Sequence, residues 1–150
     1  MKKVLIFLPL IITIIFFWQK QNRPPPDTIT INIVGQDYQL EIADNVLSQA
    51  KGLSGRNSLC EHCGMLFPYD NDNYHVFWMK DTLISLDIIW LDGEKEIVHL
   101  EESVQPEPEK SDNELTQYRP SVPARYVIEL AAGQIQELEL EIGDRIELPY

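Results

Sequence analysis

The stretch Tyr74–Asp92, Y-H-V-F-W-M-K-D-T-L-I-S-L-D-I-I-W-L-D, constrains the fold more than any other part of this chain. Aromatic and β-branched residues favour the pleated, half-buried surface of a sheet. The pattern predicts two strands, one from about Tyr74 to Lys80 and one from about Leu83 to Leu91. The second is almost continuously apolar, the signature of a strand buried on both faces. Asp87 interrupts it. A carboxylate in such a place needs a partner, because an unpaired buried charge is too unfavourable to persist.

The flanking sequence extends this β pattern. Residues Thr28 to Val34 alternate, with Ile29, Ile31 and Ile33 on one side, and Tyr38 to Ile42 returns after a turn at Gly35 to Asp37, so a hairpin is expected. Asp44 is placed to cap a short helix that runs to about Lys51 and stops at Gly52. Leu53 to Glu61 reads as a loop, Gly64 to Phe67 as a short strand and Pro68 to Asn73 as a polar turn. Asp92-Gly93 is a strong hairpin signal leading into a strand from Glu96 to Leu100. Residues 101–122 hold three prolines, many acids and few apolar residues, which predicts a long loop excursion. Ala124 to Leu130 resumes as a strand, Gly133 opens a short helical segment to about Leu140, and Gly143-Asp144 turns into a last strand, Arg145 to Leu148. The expected fold is α+β, mainly β: a small barrel-like antiparallel or mixed sheet with two short helices.

The N-terminus is of a different kind. Met1 to Lys3 is basic, Val4 to Trp18 is apolar or nearly so, and Pro24 to Pro26 form a stiff spacer. No A-x-A-like cleavage site follows Trp18 and no cysteine follows it. The segment therefore reads as an uncleaved signal anchor over residues 1–20, with a Pro-rich linker at 21–27 and one β-rich domain at 28–150. Fifteen helical residues span roughly 22 Å, short of a ~30 Å hydrocarbon core, but Lys3 and Lys20 can snorkel to either interface. The expectation is membrane attachment through residues 4–18, with the body facing the periplasm or cell exterior. Secretion after cleavage is the runner-up. From Asp27 onward the chain carries 24 acidic and 8 basic residues, a net charge of −16. Nucleic acid and anionic lipid both reward Lys and Arg, so neither is an expected partner of the body.

Five ordered segments carry a family likeness: K-G-L-S-G-R at Lys51 to Arg56, G-M-L-F at Gly64 to Phe67, F-W-M-K-D-T-L-I-S-L-D-I-I-W-L-D at Phe77 to Asp92, P-A-R-Y-V-I-E-L-A-A-G at Pro123 to Gly133, and G-D-R-I at Gly143 to Ile146. With them the chain resembles the uncharacterised family called domain of unknown function 192. The resemblance implies a compact β-rich domain, often behind a signal peptide in bacteria and archaea, and no established activity. The chain departs from the usual pattern at Asp81, where Asn is commoner, at Ser85, where Pro is commoner, and in having the Cys60–Cys63 pair.

Two groups of residues invite a chemical reading. Cys60-Glu61-His62-Cys63 can be a local disulfide, a redox pair or part of a metal site. Export favours the disulfide. Adjacent His62 and Cys63 make poor zinc geometry, and a strand-like G-M-L-F follows where a thioredoxin-like motif needs a helix, so no metal is expected. The second group is Lys80, Asp81, Asp87, Arg56 and Arg125. Asp87 and Arg125 can meet as a bidentate pair that fixes register. Alternatively Lys80 and Arg125 line a polar pocket for an anionic or hydroxylated ligand, with Trp78 and Trp90 as a stacking wall. No serine-hydrolase, zinc-protease or phosphate-loop signature is present, and no cofactor is expected. The leading expectation is a ligand- or partner-binding module, its site around Trp78, Lys80, Asp81, Asp87 and Arg125, taking a small molecule, glycan or protein. The alternative is an enzyme: a hydrolase using Asp81 and Asp87, or a thiol–disulfide protein using Cys60 and Cys63.

Overall fold

A computed structural model describes residues 27–150. The expected signal anchor at residues 1–20, and all of the Pro-rich linker except Asp27, lie outside the described residues. Among those that are described, no helix is long and apolar enough to cross a membrane.

Six strands form one mixed sheet: β1 (Thr28–Ile33), β2 (Gln36–Ile42), β3 (Cys63–Asn73), β4 (Leu86–Leu91), β5 (Ile97–Val104) and β6 (Ala124–Ala131), in the order β1-β2-β3-β6-β4-β5. Two short helices complete it, α1 (Val46–Lys51) and α2 (Gln134–Glu137). The mainly β class is as expected. The barrel-like closure is not: β1 and β5 stand at opposite edges and do not pair.

Burial explains which strands take the middle. Every residue of β4 is buried, and β6 is buried from Tyr126 to Leu130, so both need neighbours on either side and cover on both faces. One face carries Leu66, Ile89, Leu91, Ile128 and Leu130 under Ile135, Leu138 and Leu140. The other carries Met65, Phe67, Ile88, Trp90 and Val127 under Leu53, Phe77 and Met79.

The β1–β2 hairpin turns at Val34 (φ 47°) and Gly35 (φ 85°), both left-handed as a tight two-residue turn requires. α1 then carries the chain across to β3, which pairs parallel to β2. The helix cap is Asn45 and not Asp44. The Asn45 side chain accepts from Leu47 and Ser48 N–H groups at 3.1 and 3.0 Å, and the Ser48 hydroxyl accepts from the Asn45 N–H at 3.1 Å.

Four other expectations are corrected. Tyr74–Lys80 is extended but is no ladder strand. Phe77 and Met79 point in while Tyr74, Val76 and Trp78 point out, which is the period-2 pattern, yet its only pairing is an isolated bridge between Phe77 and Tyr118. The next strand starts at Leu86, not Leu83, because the chain turns first at Asp81 (φ 53°). Asn adopts that left-handed conformation more readily than most residues, which gives a physical reason for the residue commoner there in the family. Pro68–Asn73 continues β3, with a register break between Pro68 and Asn73. Arg145–Leu148 forms only a bridge to Glu96.

The excursion begins later than expected, since residues 101–104 belong to β5. Its remainder folds back over the sheet. Phe77 and Tyr118 exchange backbone hydrogen bonds at 2.8 and 2.9 Å, and Glu107 accepts from the Thr116 N–H at 2.9 Å.

Candidate functional site

The expected pocket residues do not converge. Asp87 lies on the sheet face of Ile89 and is fully buried. Its two oxygens accept from the Ser103 and Ile135 backbone N–H groups, each at 2.7 Å. The needed partner is thus backbone, and the carboxylate ties β5 and the start of α2 to β4. Arg125 does not reach it. Arg125 is half-exposed at the other end of β6 and pairs with Asp72 at 2.7 Å. Lys80 pairs with Asp112 at the surface. With Asp81 it lines a small cleft of about 130 Å³ against the Glu107–Asp112 loop. Asp81 and Asp87 therefore share no site, which removes the hydrolase built on that pair. Trp90 is also not a stacking wall. It is buried, packs edge-on to Phe77, and donates its indole N–H to the His75 carbonyl at 3.0 Å.

Cys60 and Cys63 are joined in a disulfide, the first of the three readings the sequence offers for the pair. The pair clips the entry to β3, where Gln39 N–H donates to the His62 carbonyl at 2.8 Å. Among the described residues, no cluster of three or more His, Cys, Asp or Glu side chains is arranged to hold a metal.

Trp78 does border a cleft, and its floor is a residue the sequence reading passed over. A depression of about 160 Å³ lies between the end of α1 and the Val76–Thr82 segment, walled by Phe67, Tyr69, Phe77 and Trp78. At its floor is Glu129. This residue occupies the middle of β6, opposite Met65 of β3 and Ile88 of β4, and is 5% exposed. Its Oε2 has no hydrogen-bond partner. Burial pushes this carboxyl up to about 8, against a partial opposing pull from Arg56. Glu129 is therefore largely protonated at neutral pH.

The surroundings explain why the carboxyl stays uncompensated. Arg56 is the cation whose charge bears on it, but both terminal guanidinium nitrogens are engaged by Glu41, at 2.6 Å each. Gly52 passes directly over the carboxyl. A Cβ there would stand 3.6 Å from Oε2 and 3.6 Å from the Phe67 ring, and its φ of 48° is in the left-handed region. Glycine thus lets the backbone close over the site without strain. The loop that follows is pinned to the opposite wall: Gly55 N–H donates to the Asp81 carbonyl at 2.8 Å and Ser54 Oγ to the Lys80 carbonyl at 2.7 Å. The K-G-L-S-G-R and F-W-M-K-D-T segments, distant in sequence, are thereby the two rims of one cleft. Tyr69 lies against His75 with ring centroids 3.5 Å apart, and burial together with the Glu129 charge pushes its hydroxyl up to about 12.

These rims and this floor come from three of the five segments that carried the family likeness. A family model described as uncharacterized ACR, DUF192, matches residues 28–148. The chain belongs to the DUF192 family. Among its relatives, a UPF0127 protein of Pyrococcus abyssi is 34% identical over 113 residues, covering 73% of this chain and 85% of that protein. A UPF0127 protein of Thermococcus gammatolerans is 30% identical over 110 residues, covering 71% of this chain and 64% of its own length. Two solved structures share the fold at a TM-score of 0.68. One is a Novosphingobium aromaticivorans protein of unknown function, 26% identical, covering 81% of this chain and 84% of that one. The other, from Sinorhizobium meliloti, is described as a putative transcription regulator, 28% identical, covering 80% of this chain and 90% of that one.

Proposed function

We propose that this DUF192 domain is a small-molecule-binding module, tethered by its N-terminal segment and displayed outside the cytoplasm. The observation that carries the binding reading is the unpaired Glu129 oxygen at the floor of the Trp78 cleft. A buried polar atom without a partner is unfavourable by about 1–3 kcal/mol, and a bound ligand relieves that. An apolar and aromatic lining with one convergent polar group is the usual make-up of a ligand pocket. Trp78 is 49% exposed, a large aromatic surface at the mouth of the site.

The lining offers little to an enzyme. Glu129 is the one carboxyl on it, so no second carboxylate stands ready to work as its partner in hydrolysis. The body's net charge of −16 argues against a nucleic-acid role of the kind named for the Sinorhizobium protein. The tether reading rests on the basic start, the apolar run Val4 to Trp18 and the proline spacer.

A thermal-shift screen of small molecules on the protein and on Trp78→Ala tests the binding reading. The expected result is stabilisation by some ligand that is smaller in the variant at the same ligand concentration. No stabilisation across a broad library of neutral, anionic and cationic compounds would overturn it. Carbonate extraction of cell membranes tests the tether: the full chain is expected to stay with the membrane and a chain lacking residues 1–20 to leave it.

A further inference from the structure

We propose that the Trp78 cleft takes a small primary ammonium ion, held by the Glu129 carboxylate against aromatic faces. This rests on the binding reading above and names the ligand class for the same site.

Three observations point to a cation. Once ionised, the unpartnered Oε2 only accepts hydrogen bonds, and a guest that keeps it ionised brings both donors and positive charge, as an ammonium group with its three N–H bonds does. The walls near it are the aromatic residues Phe67, Tyr69, Phe77 and Trp78, and Trp78 is half-exposed at the mouth, where its indole can meet a cation. The positive charge that bears on Glu129 is matched, since Arg56 is held bidentately by Glu41, and Lys51 stands outside at the exposed rim. A positive guest therefore finds the one carboxyl on the lining, within a body of net charge −16 that repels anions. The size of the cleft, about 160 Å³, sets the scale. It is well below the roughly 300–1,000 Å³ of drug-sized pockets, so the guest is a short alkylamine.

Binding must then release a proton. The guest enters as the ammonium, Glu129 gives its proton to solvent, and an ion pair replaces a neutral acid. With Glu129 at about 8 in the free protein, affinity is ~100-fold weaker at pH 6 than at its upper limit and levels off above pH 8. The other titrating groups facing Glu129 do not imitate this. Burial lowers His75 from 6.5, so it is already neutral above pH 7. Tyr69 is held near 12, Arg56 is pushed higher still by its hydrogen bond to Glu41, and Lys51 stands at the exposed rim. From β4 the facing residue is the apolar Ile88.

The test is calorimetry on the full chain in non-ionic micelles and amine-free buffers at pH 6.5, 7.5 and 9. The probes are n-butylammonium and its neutral counterpart n-butanol. The expected result is binding of the ammonium alone, tightening at least tenfold from pH 6.5 to 9, with about one proton released per ligand at pH 6.5. Glu129→Gln, which is close to isosteric, is expected to lose binding at least tenfold and to abolish its pH dependence. Trp78→Ala, at a half-exposed position, is expected to weaken it several-fold with the pH dependence intact. Binding of n-butanol as tightly as the ammonium, or ammonium binding independent of pH, would overturn the cation assignment and leave the cleft as a site for neutral ligands. No binding of either probe at any pH, while the broad screen still finds a stabilising ligand, would overturn the assignment without touching the binding reading.

Discussion

Replacing Glu129 by glutamine isolates the energetic consequence of burying that carboxyl. In the native chain the group titrates at about 8, against 4.5 for a free glutamate, because burial disfavours its charged form. A folded-state pKa raised above the unfolded value makes the native state the tighter proton binder. Its contribution to stability is complete below pH 4.5. As pH rises the unfolded chain ionises first, and stability falls by ~1.4 kcal/mol per pH unit until the native group also ionises near pH 8. The full loss across the window is about 5 kcal/mol, and about 3 kcal/mol of it is already present at pH 7. Glutamine has no proton to lose. Its amide carries its own pH-independent burial penalty, which leaves the slope unaffected. Other titrating groups, including the half-buried Glu107 carboxyl that its Lys110 and Thr116 hydrogen bonds hold down to about 2, are common to both proteins and cancel in the difference. Urea unfolding of both proteins at pH 5, 6, 7, 8 and 9, with equal m-values, gives that difference directly. The variant is expected to gain steadily on the wild type from pH 5 to 8 and then hold a constant lead. A difference that stays flat across the series would refute the reasoning, because it would mean that Glu129 is solvated or paired in the native state.

Other substitutions probe the frame around the site. Asp87→Ala strips the buried Ile135 N–H and the half-buried Ser103 N–H of their acceptor and is expected to destabilise by about 3 kcal/mol in urea unfolding, whereas Arg125→Ala, which breaks a half-exposed pair with Asp72, is expected to leave the midpoint unchanged. Gly64→Ala places a Cβ 2.3 Å from the Glu129 carbonyl oxygen and 2.7 Å from the Leu130 side chain, so β3 and β6 must separate; a loss of about 1–3 kcal/mol or failure to fold is expected by the same assay. Removing the Cys60–Cys63 disulfide by a double serine substitution is expected to lower stability by about 2 kcal/mol, since it closes a loop of four residues.

The parts of this molecule legible from sequence are those set by local pattern. The β1–β2 hairpin, the Asp92-Gly93 turn and the doubly buried β4 all follow from alternation, turn chemistry and apolar runs. The turn expected at Gly143-Asp144 is present, and the Asp144 side chain pins it by accepting from the Glu141 N–H at 2.7 Å. Strand neighbours were less legible. The parallel pairing of β2 with β3, and the insertion of β6 between β3 and β4, depend on chain segments dozens of residues apart and leave no local mark. Tyr74–Lys80 shows the converse: a sound strand pattern with no strand beside it to pair with. For the site, one signal was read once and missed once. Asp87 and Glu129 are both single carboxylates inside apolar strands. The sequence offers Asp87 either as a register-fixing partner of Arg125 or as a pocket residue, yet backbone N–H groups satisfy it, while Glu129, inside V-I-E-L-A-A, is left with a bare oxygen facing a cleft. Sequence gives the presence of a buried charge, but only the fold decides which neighbours meet it.

The most direct check on this account is a carbon-13 NMR titration of the Glu129 side-chain carboxyl in the ligand-free protein, assigned by comparison with Glu129→Gln. A midpoint close to 8, shifting down by at least one unit when n-butylammonium saturates the cleft, is the predicted outcome. A midpoint near 4.5 in the free protein would contradict the account, since the floor of the cleft would then hold an ordinary solvated carboxylate.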